Sequence, residues 1–330
     1  LAEAQLYGRV IIAGSVFQVL NMTLNNILRS EGASIHSSIG QMTGAVLNII
    51  LDPIFIFVFD MGITGAAVAT VIAQGISTLY LAGYYIRGKG LVEPLDPRHV
   101  RLAMGTYGPM MTMGVPTFVR QVLGSVSFGI LNNAAGSYGD SALAAISVTF
   151  RLFMLLFMAF IGLAQGLQPL VGYNYGAKQF DRIRATFRIV FSIAGTVGAV
   201  AAVIGFGFAP AIMRLFAPQD PDVVAMGALA MRLMAFVVVP VAMVVMYGGI
   251  FQALGHGRAA LLLAAGQQGL FLIPAVLILP VYFGLAGVFA AQPVGFFFAF
   301  VVGSILMHGT WKSLCREEAA IMGQDVPCNA

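Results

Sequence analysis

Apolar runs long enough to cross a bilayer recur along almost the whole chain, and this limits the fold before any motif is considered. In hydrocarbon every backbone N–H and C=O must be bonded internally. A run of about 20 apolar residues therefore crosses as a helix. Only 9% of the residues are charged and 59% are hydrophobic, against roughly 25% charged in an ordinary globular domain. The chain reads as an all-α polytopic membrane protein, with the lipid bilayer as its first partner. Its net charge of +4 is too small to indicate nucleic acid.

Nine spans are expected, at about 5–28, 38–59, 63–86, 101–131, 141–170, 186–216, 223–252, 259–281 and 285–309. Gly62, Gly88-Lys89-Gly90, Asp96-Pro97, Gly136 to Gly139, Pro218 to Pro221 and Gly255 to Gly257 mark the joins. The connections alternate in charge. Arg29 and His36 follow the first span, Arg87, Lys89, Arg98 and Arg101 surround the third connection, and Lys178, Arg182, Arg184 and Arg188 fill the fifth. Arg258, then Lys312 and Arg316, continue the series, while the intervening turns carry almost no Lys or Arg. The positive-inside rule makes the basic set and the C-terminus cytoplasmic. Nine spans then put Leu1 outside, with no signal peptide ahead of it. Three further spans are expected before it.

An internal repeat gives the reason. L-Y-G-R-V-I-I from Leu6 matches L-A-M-R-L-M-A from Leu229, which aligns Arg9 with Arg232. I-L-R-S-E-G ending at Gly32 matches I-F-Q-A-L-G ending at Gly255, and G-I-T-G-A-A-V-A from Gly62 matches G-L-A-G-V-F-A-A from Gly284. All three lie 222 or 223 residues apart. Two six-span halves of this kind are parallel repeats, with the substrate path between them. Residues 1–98 then hold the last three helices of an N-terminal lobe plus a cytoplasmic linker. Residues 99–312 form a six-helix C-terminal lobe, and 313–330 a cytoplasmic tail. Secondary transport by alternating access follows from that architecture.

Asp52 is one of very few acids deep in a span. Asn48 lies four residues earlier on the same helical face, within hydrogen-bonding reach. Pro53 frees the carbonyl of Ile49 from the helical ladder. The pair is either a coupling or substrate-cavity site, or a structural kink with a polar pocket. Both readings stand on the sequence. Near the equivalent repeat position the second half has Pro274 and Ala275, so a proline recurs and the acid does not. Arg120 and Gln121, with Arg151, also sit inside apolar runs, where cations need partners; charge pairing or bonds to helix carbonyls are expected there. Gln165 and Gln168, three apart, are cavity candidates, because neutral amides bind cations or water without the full cost of a buried charge. Arg9 and Arg232 are read as structural, and Gln74, Gln267, Gln268 and Gln292 as helix glue.

No H-E-x-x-H, G-x-S-x-G or Walker-type motif occurs, so no catalytic residue, metal site or cofactor is assigned. Cys315 and Cys328 define no disulfide framework. Without a nucleotide site, energy must come from an ion gradient or from the substrate's own gradient.

A-Q-G-L-Q-P-L-V-G-Y-N-Y-G-A-K, from Ala164, resembles a helix-to-loop segment of the MATE (multidrug and toxic compound extrusion) family. So do L-R-S-E-G from Leu28, L-N-I-I-L-D-P-I-F-I-F from Leu47, G-I-T-G-A-A-V-A-T-V-I-A-Q from Gly62, Y-G-D-S-A-L-A-A from Tyr138 and F-Q-A-L-G from Phe251. The resemblance runs the length of the chain and is greatest to the bacterial DinF-like and multidrug-exporter branch. It implies a two-lobe fold of twelve spans, nine of them visible here, in a monomer of the bacterial inner membrane. It also implies efflux of small amphipathic, cationic compounds driven by H⁺ or Na⁺. An acid in the first span, important for coupling in that branch, would precede Leu1. Two alternatives remain at this stage: a flippase of lipid-linked saccharides from a related two-lobe family, and a non-transporting truncated fragment.

Overall fold

Helices in lipid gain no hydrophobic drive from meeting one another, so they associate through close packing of small residues and interhelical hydrogen bonds. The computed structural model describes residues 2–87, 104–218 and 220–322. The connection holding Lys89, Arg98, His99 and Arg101, the 98/99 lobe boundary and Cys328 lie outside the described residues. The chain divides into two units, Leu1–Leu102 and Ala103–Ala330.

The first unit holds α1 (Ala2–Ser30), α2 (Ser34–Pro53), a π-helical turn (Ile54–Val58) and α3 (Gly62–Ile86). Helix α3 packs along both α1 and α2. The approach depends on glycine: a Cβ on Gly14 would run into the side chain of Val71, and one on Gly40 into that of Leu81. The buried core is small, with Leu24, Leu28, Leu81 and Tyr85. Ile12, Val16, Ile35 and Ile49 stay exposed on α1 and α2, as suits faces turned to hydrocarbon.

The second unit holds α4 (Met104–Gly136), α5 (Asp140–Gly176), α6 (Phe180–Gly207), α7 (Ala209–Phe216), α8 (Pro221–Ala235) and α9 (Val238–Ala253). Then come α10 (Gly257–Ala265), a second π-helical turn (Gly266–Leu270), α11 (Leu272–Phe283) and α12 (Leu285–Met322). Helix α5 packs against α6, α8 and α9 over a core that includes Phe160, Leu167, Ile183, Met246 and Phe251.

Among the described residues, seven helical segments are long and apolar enough to cross a membrane. The α8–α9 pair, bent by 52°, makes an eighth if counted as one span. Pro240 lies in the first turn of α9 and cannot donate to the carbonyl of Phe236, which places the break there. The ninth expected span corresponds to α4, which has the length but not the apolarity, because Arg120 and Gln121 sit in its middle. The expected 186–216 span is two helices, broken at Phe208 just before Pro210. Helix α12 continues past residue 309 to Met322. Cys315, which the sequence reading put in the tail, is a buried residue of that helix.

The repeat is visible in the backbone. Gly32 and Gly255 both adopt positive φ, at 83° and 75°, as do Gly62 and Gly284, at 53° and 57°. Around the first pair the same C-terminal cap forms twice. Ala33 N–H donates to Leu28 C=O over 2.8 Å, and His256 N–H to Phe251 C=O over 2.8 Å. Gly32 N–H reaches Arg29 C=O at 3.1 Å, and Gly255 N–H reaches Gln252 C=O at 3.2 Å. These are paired Schellman motifs, which place a residue lacking Cβ in the left-handed region. A π turn lies near each repeat-related proline, directly after Pro53 in the first half and shortly before Pro274 in the second.

Candidate functional site

The polar residues of the first unit form stripes. On α2, Ser37, Gln41, Asn48 and Asp52 recur at multiples of about one helical turn; on α3, Thr70, Gln74 and Ser77 do the same, and on α1, Asn21 and Asn25. Spacing of three or four residues puts each set on one helical face, and the packing turns the three faces together.

At the Arg29 end of this polar line, Arg29 Nε donates to Ser37 Oγ at 3.1 Å and Arg29 Nη2 to Gln41 Oε1 at 3.2 Å. Ser37 Oγ donates to Asn25 Oδ1 at 2.6 Å. In the middle, Asn21 Nδ2 donates to Ser77 Oγ at 2.6 Å, and Ser77 Oγ donates to Gly40 C=O at 2.6 Å. Towards the end of α2, Asn48 Nδ2 donates both to Asp52 Oδ1 at 3.0 Å and to Thr70 Oγ1 at 3.3 Å. Thr70 Oγ1 in turn donates to Ala66 C=O at 2.9 Å.

A cavity of about 240 Å³ opens among these groups, lined by Asn21, Gln41, Asn48, Thr70, Gln74 and Ser77 with Gly44, Ala45 and Ala73 between them. Gly44 lets α2 approach α3 at the cavity wall, since a Cβ there would meet Ser77 Cβ at 3.1 Å. Asn48 joins the cavity to the half-buried Asp52. With both amide hydrogens engaged, Asn48 leaves its carbonyl oxygen as an acceptor. Carboxylate, amide carbonyl and hydroxyl oxygens are hard donors, suited to a hard cation or to a proton shared on the carboxylate. Among the described residues no three His, Cys, Asp or Glu side chains gather as a metal site.

The sequence reading named Asn48 and Asp52, and the structure brings them together. Thr70, Asn21, Gln41 and Ser77, which the sequence does not single out, line the same cavity, as does Gln74, read from sequence as helix glue. The signal was there, in the period of the neutral polar residues along α2 and α3. Gln165 and Gln168 belong to the second unit, where Gln168 Nε2 donates to Gln252 Oε1 at 3.0 Å between α5 and α9. Of the two uses expected for Arg120 and Arg151, charge pairing or bonds to helix carbonyls, the first has no instance among the described residues, where neither has an ion-pair partner. Pro53 closes α2, and no proline N–H is available to the carbonyl of Ile49.

Long apolar helices, repeated glycine caps and a polar cavity inside one three-helix unit define a polytopic membrane protein. Residues 116–278 match the MatE family model. The multidrug export protein MepA of Staphylococcus saprophyticus is 29% identical over 288 residues, covering 87% of this chain and 63% of that protein. MepA of Staphylococcus aureus is 29% identical over 291 residues with the same coverage. A crystal structure of MATE in the bent conformation superposes with a TM-score of 0.86 at 25% identity, over 95% of this chain and 70% of the other. In sequence and in fold the chain is similar to the MATE family. It spans about 63% of the length of the curated relatives it matches.

Proposed function

We propose that this chain is part of a cation-coupled exporter of amphipathic organic cations in a bacterial cytoplasmic membrane. The observation that carries the reading is the Asn48–Asp52–Thr70 cluster beside the polar cavity of the first unit. An ionisable group within a span is costly and marks ion or substrate pathways, and Asp52 is held there by a donor that keeps it oriented. A carboxylate that binds either the coupling H⁺ or Na⁺ or a cationic substrate makes the two mutually exclusive, which is what antiport requires. Ion occupancy biases an alternating-access equilibrium only by its differential affinity for the two states. Relatives named as multidrug exporters support the drug-like substrate class.

The test uses the full-length protein in vesicles loaded with ethidium, under an imposed pH or Na⁺ gradient. Gradient-driven dye movement is expected, and Asp52→Asn is expected to reduce it to background while leaving protein levels unchanged. Undiminished transport by the Asn variant removes Asp52 from coupling. The competing lipid-linked saccharide flippase draws on Arg120 and Arg151, which lack ion-pair partners among the described residues. Movement of such a lipid, with no dye movement, selects it.

A further inference from the structure

Beyond the polar cavity of the first unit, the second unit carries a recess of different chemistry. It lies between α6, α9 and α12, has a volume of about 500 Å³, and is lined by Arg184, Phe187, Arg188, Phe191, Tyr247, His308 and Trp311, among others. Its aromatic wall is continuous: Phe187 stands 5.9 Å from Trp311, Phe191 stands 5.7 Å from Tyr247, and Tyr247 stacks on Phe300 at 6.4 Å. Its rim is basic.

Two of the polar groups here are unmatched. Arg184 is paired with Glu318 and Asp181, but the exposed Arg188, one turn on, has no ion-pair partner among the described residues. The indole Nε1 of Trp311 is buried, with no hydrogen-bond acceptor among the described residues. A buried donor without an acceptor is costly, so an acceptor oxygen brought to the indole edge is favoured. Arg188 also belongs to the basic connection that the positive-inside rule assigns to the cytoplasm.

We infer that this recess binds an anionic phospholipid of the cytoplasmic leaflet. The phosphate sits at Arg188 and His308, and the upper acyl chain lies along Phe187, Phe191 and Tyr247. The chemistry fits on both sides. Basic pockets between membrane helices on the cytoplasmic side accept anionic headgroups, and Trp at the interface spans the boundary between wet and apolar surroundings. A soluble anion would have no use for the aromatic wall. A zwitterionic lipid would gain little from an arginine that lacks a counter-charge.

Trp311 is the one tryptophan in these 330 residues, and it supplies a local readout. The full-length protein is reconstituted in phosphatidylcholine vesicles carrying either dibromostearoyl phosphatidylglycerol or dibromostearoyl phosphatidylcholine. Bromine quenches an indole only at close range, and subtracting the Trp311→Phe variant isolates this indole from any other. At equal mole fraction the glycerol lipid is expected to show an exchange constant about fivefold higher, the preference one basic side chain confers near a membrane surface. Arg188→Gln should remove that preference, and Arg188→Lys should keep most of it. Equal quenching by the two lipids overturns the inference, as does a preference that survives Arg188→Gln. Relief of the quenching difference by inorganic phosphate at constant ionic strength also overturns it, in favour of a soluble-anion site.

Discussion

Asn48 is the hinge of the polar cluster at the residue scale, since its single amide nitrogen serves both Asp52 and Thr70. Asn48→Ala removes both bonds at once, and Thr70→Val removes one acceptor while keeping the shape of the side chain. Because the two residues are bonded to each other, their effects on ion-dependent efflux are expected to be non-additive. A double-mutant cycle read by ion-dependent dye efflux should give an interaction of about 0.5–3 kcal/mol. Additive losses would mean that Thr70 does not act through Asn48. Asp52 was legible in the sequence because a charge within an apolar run stands out. Thr70 and Asn21 were not, because a neutral polar side chain in a span costs little and occurs for many reasons. Which neutral residues meet is decided by the rotation of α1, α2 and α3 about their axes, and no single stripe fixes that. The arginines show the converse. An apolar run leads one to expect buried, paired cations, yet Arg151 is exposed and Arg120 half-buried, and among the described residues neither has an ion-pair partner.

At the scale of elements, the two Schellman caps make the repeat a physical object as well as an alignment. Gly32 and Gly255 sit at positive φ with nothing within 4 Å of where a Cβ would be. Substitution by alanine therefore strains the backbone without a clash. Each of Gly32→Ala and Gly255→Ala should cost about 1–2 kcal/mol, seen as similar drops in the thermal midpoint of the detergent-solubilised protein. The corresponding Asn variants should lose less, since Asn tolerates this region better. A large loss at one site and none at the other would show that the caps are not equivalent. Helix ends and glycine turns were readable in advance because cap chemistry is local. The bend between α8 and α9 was not, although Pro240 was in view. A proline in the first turn of a helix is ordinary, and only the structure shows that a helix also ends just before it. The first repeat has Phe17 at the matching position, and α1 runs through it unbroken.

For the second unit taken whole, the notable contact joins its last helix to the connection between α5 and α6. Helix α12 outruns the bilayer because its inner face continues: Leu314, Cys315 and Glu318 are buried at helical spacing, so a tail expected from residue 313 is instead ordered to Met322. Two acids there meet two bases. Glu317 accepts from Lys178 at 2.5 Å and from Tyr175 at 2.9 Å, while Glu318 pairs with Arg184. The first pair is exposed and the second is not, since Glu318 is only 3% exposed. Exposed pairs contribute little, whereas removing one member of a buried pair strands the other. The bond to Glu317 raises the pKa of Lys178. Its stabilisation is therefore complete below the ordinary lysine value and is lost only as pH climbs through the raised one, so neutral-range titration leaves the contact intact. Glu318→Gln, by contrast, should lower stability by roughly 3 kcal/mol at neutral pH, moderated by the second partner of Arg184, Asp181 at 3.7 Å. Lys178→Ala should barely move the melting temperature of the full-length protein. If the two variants melt alike, the end of α12 is held by its apolar face alone, and Leu314→Ala should then destabilise more than either.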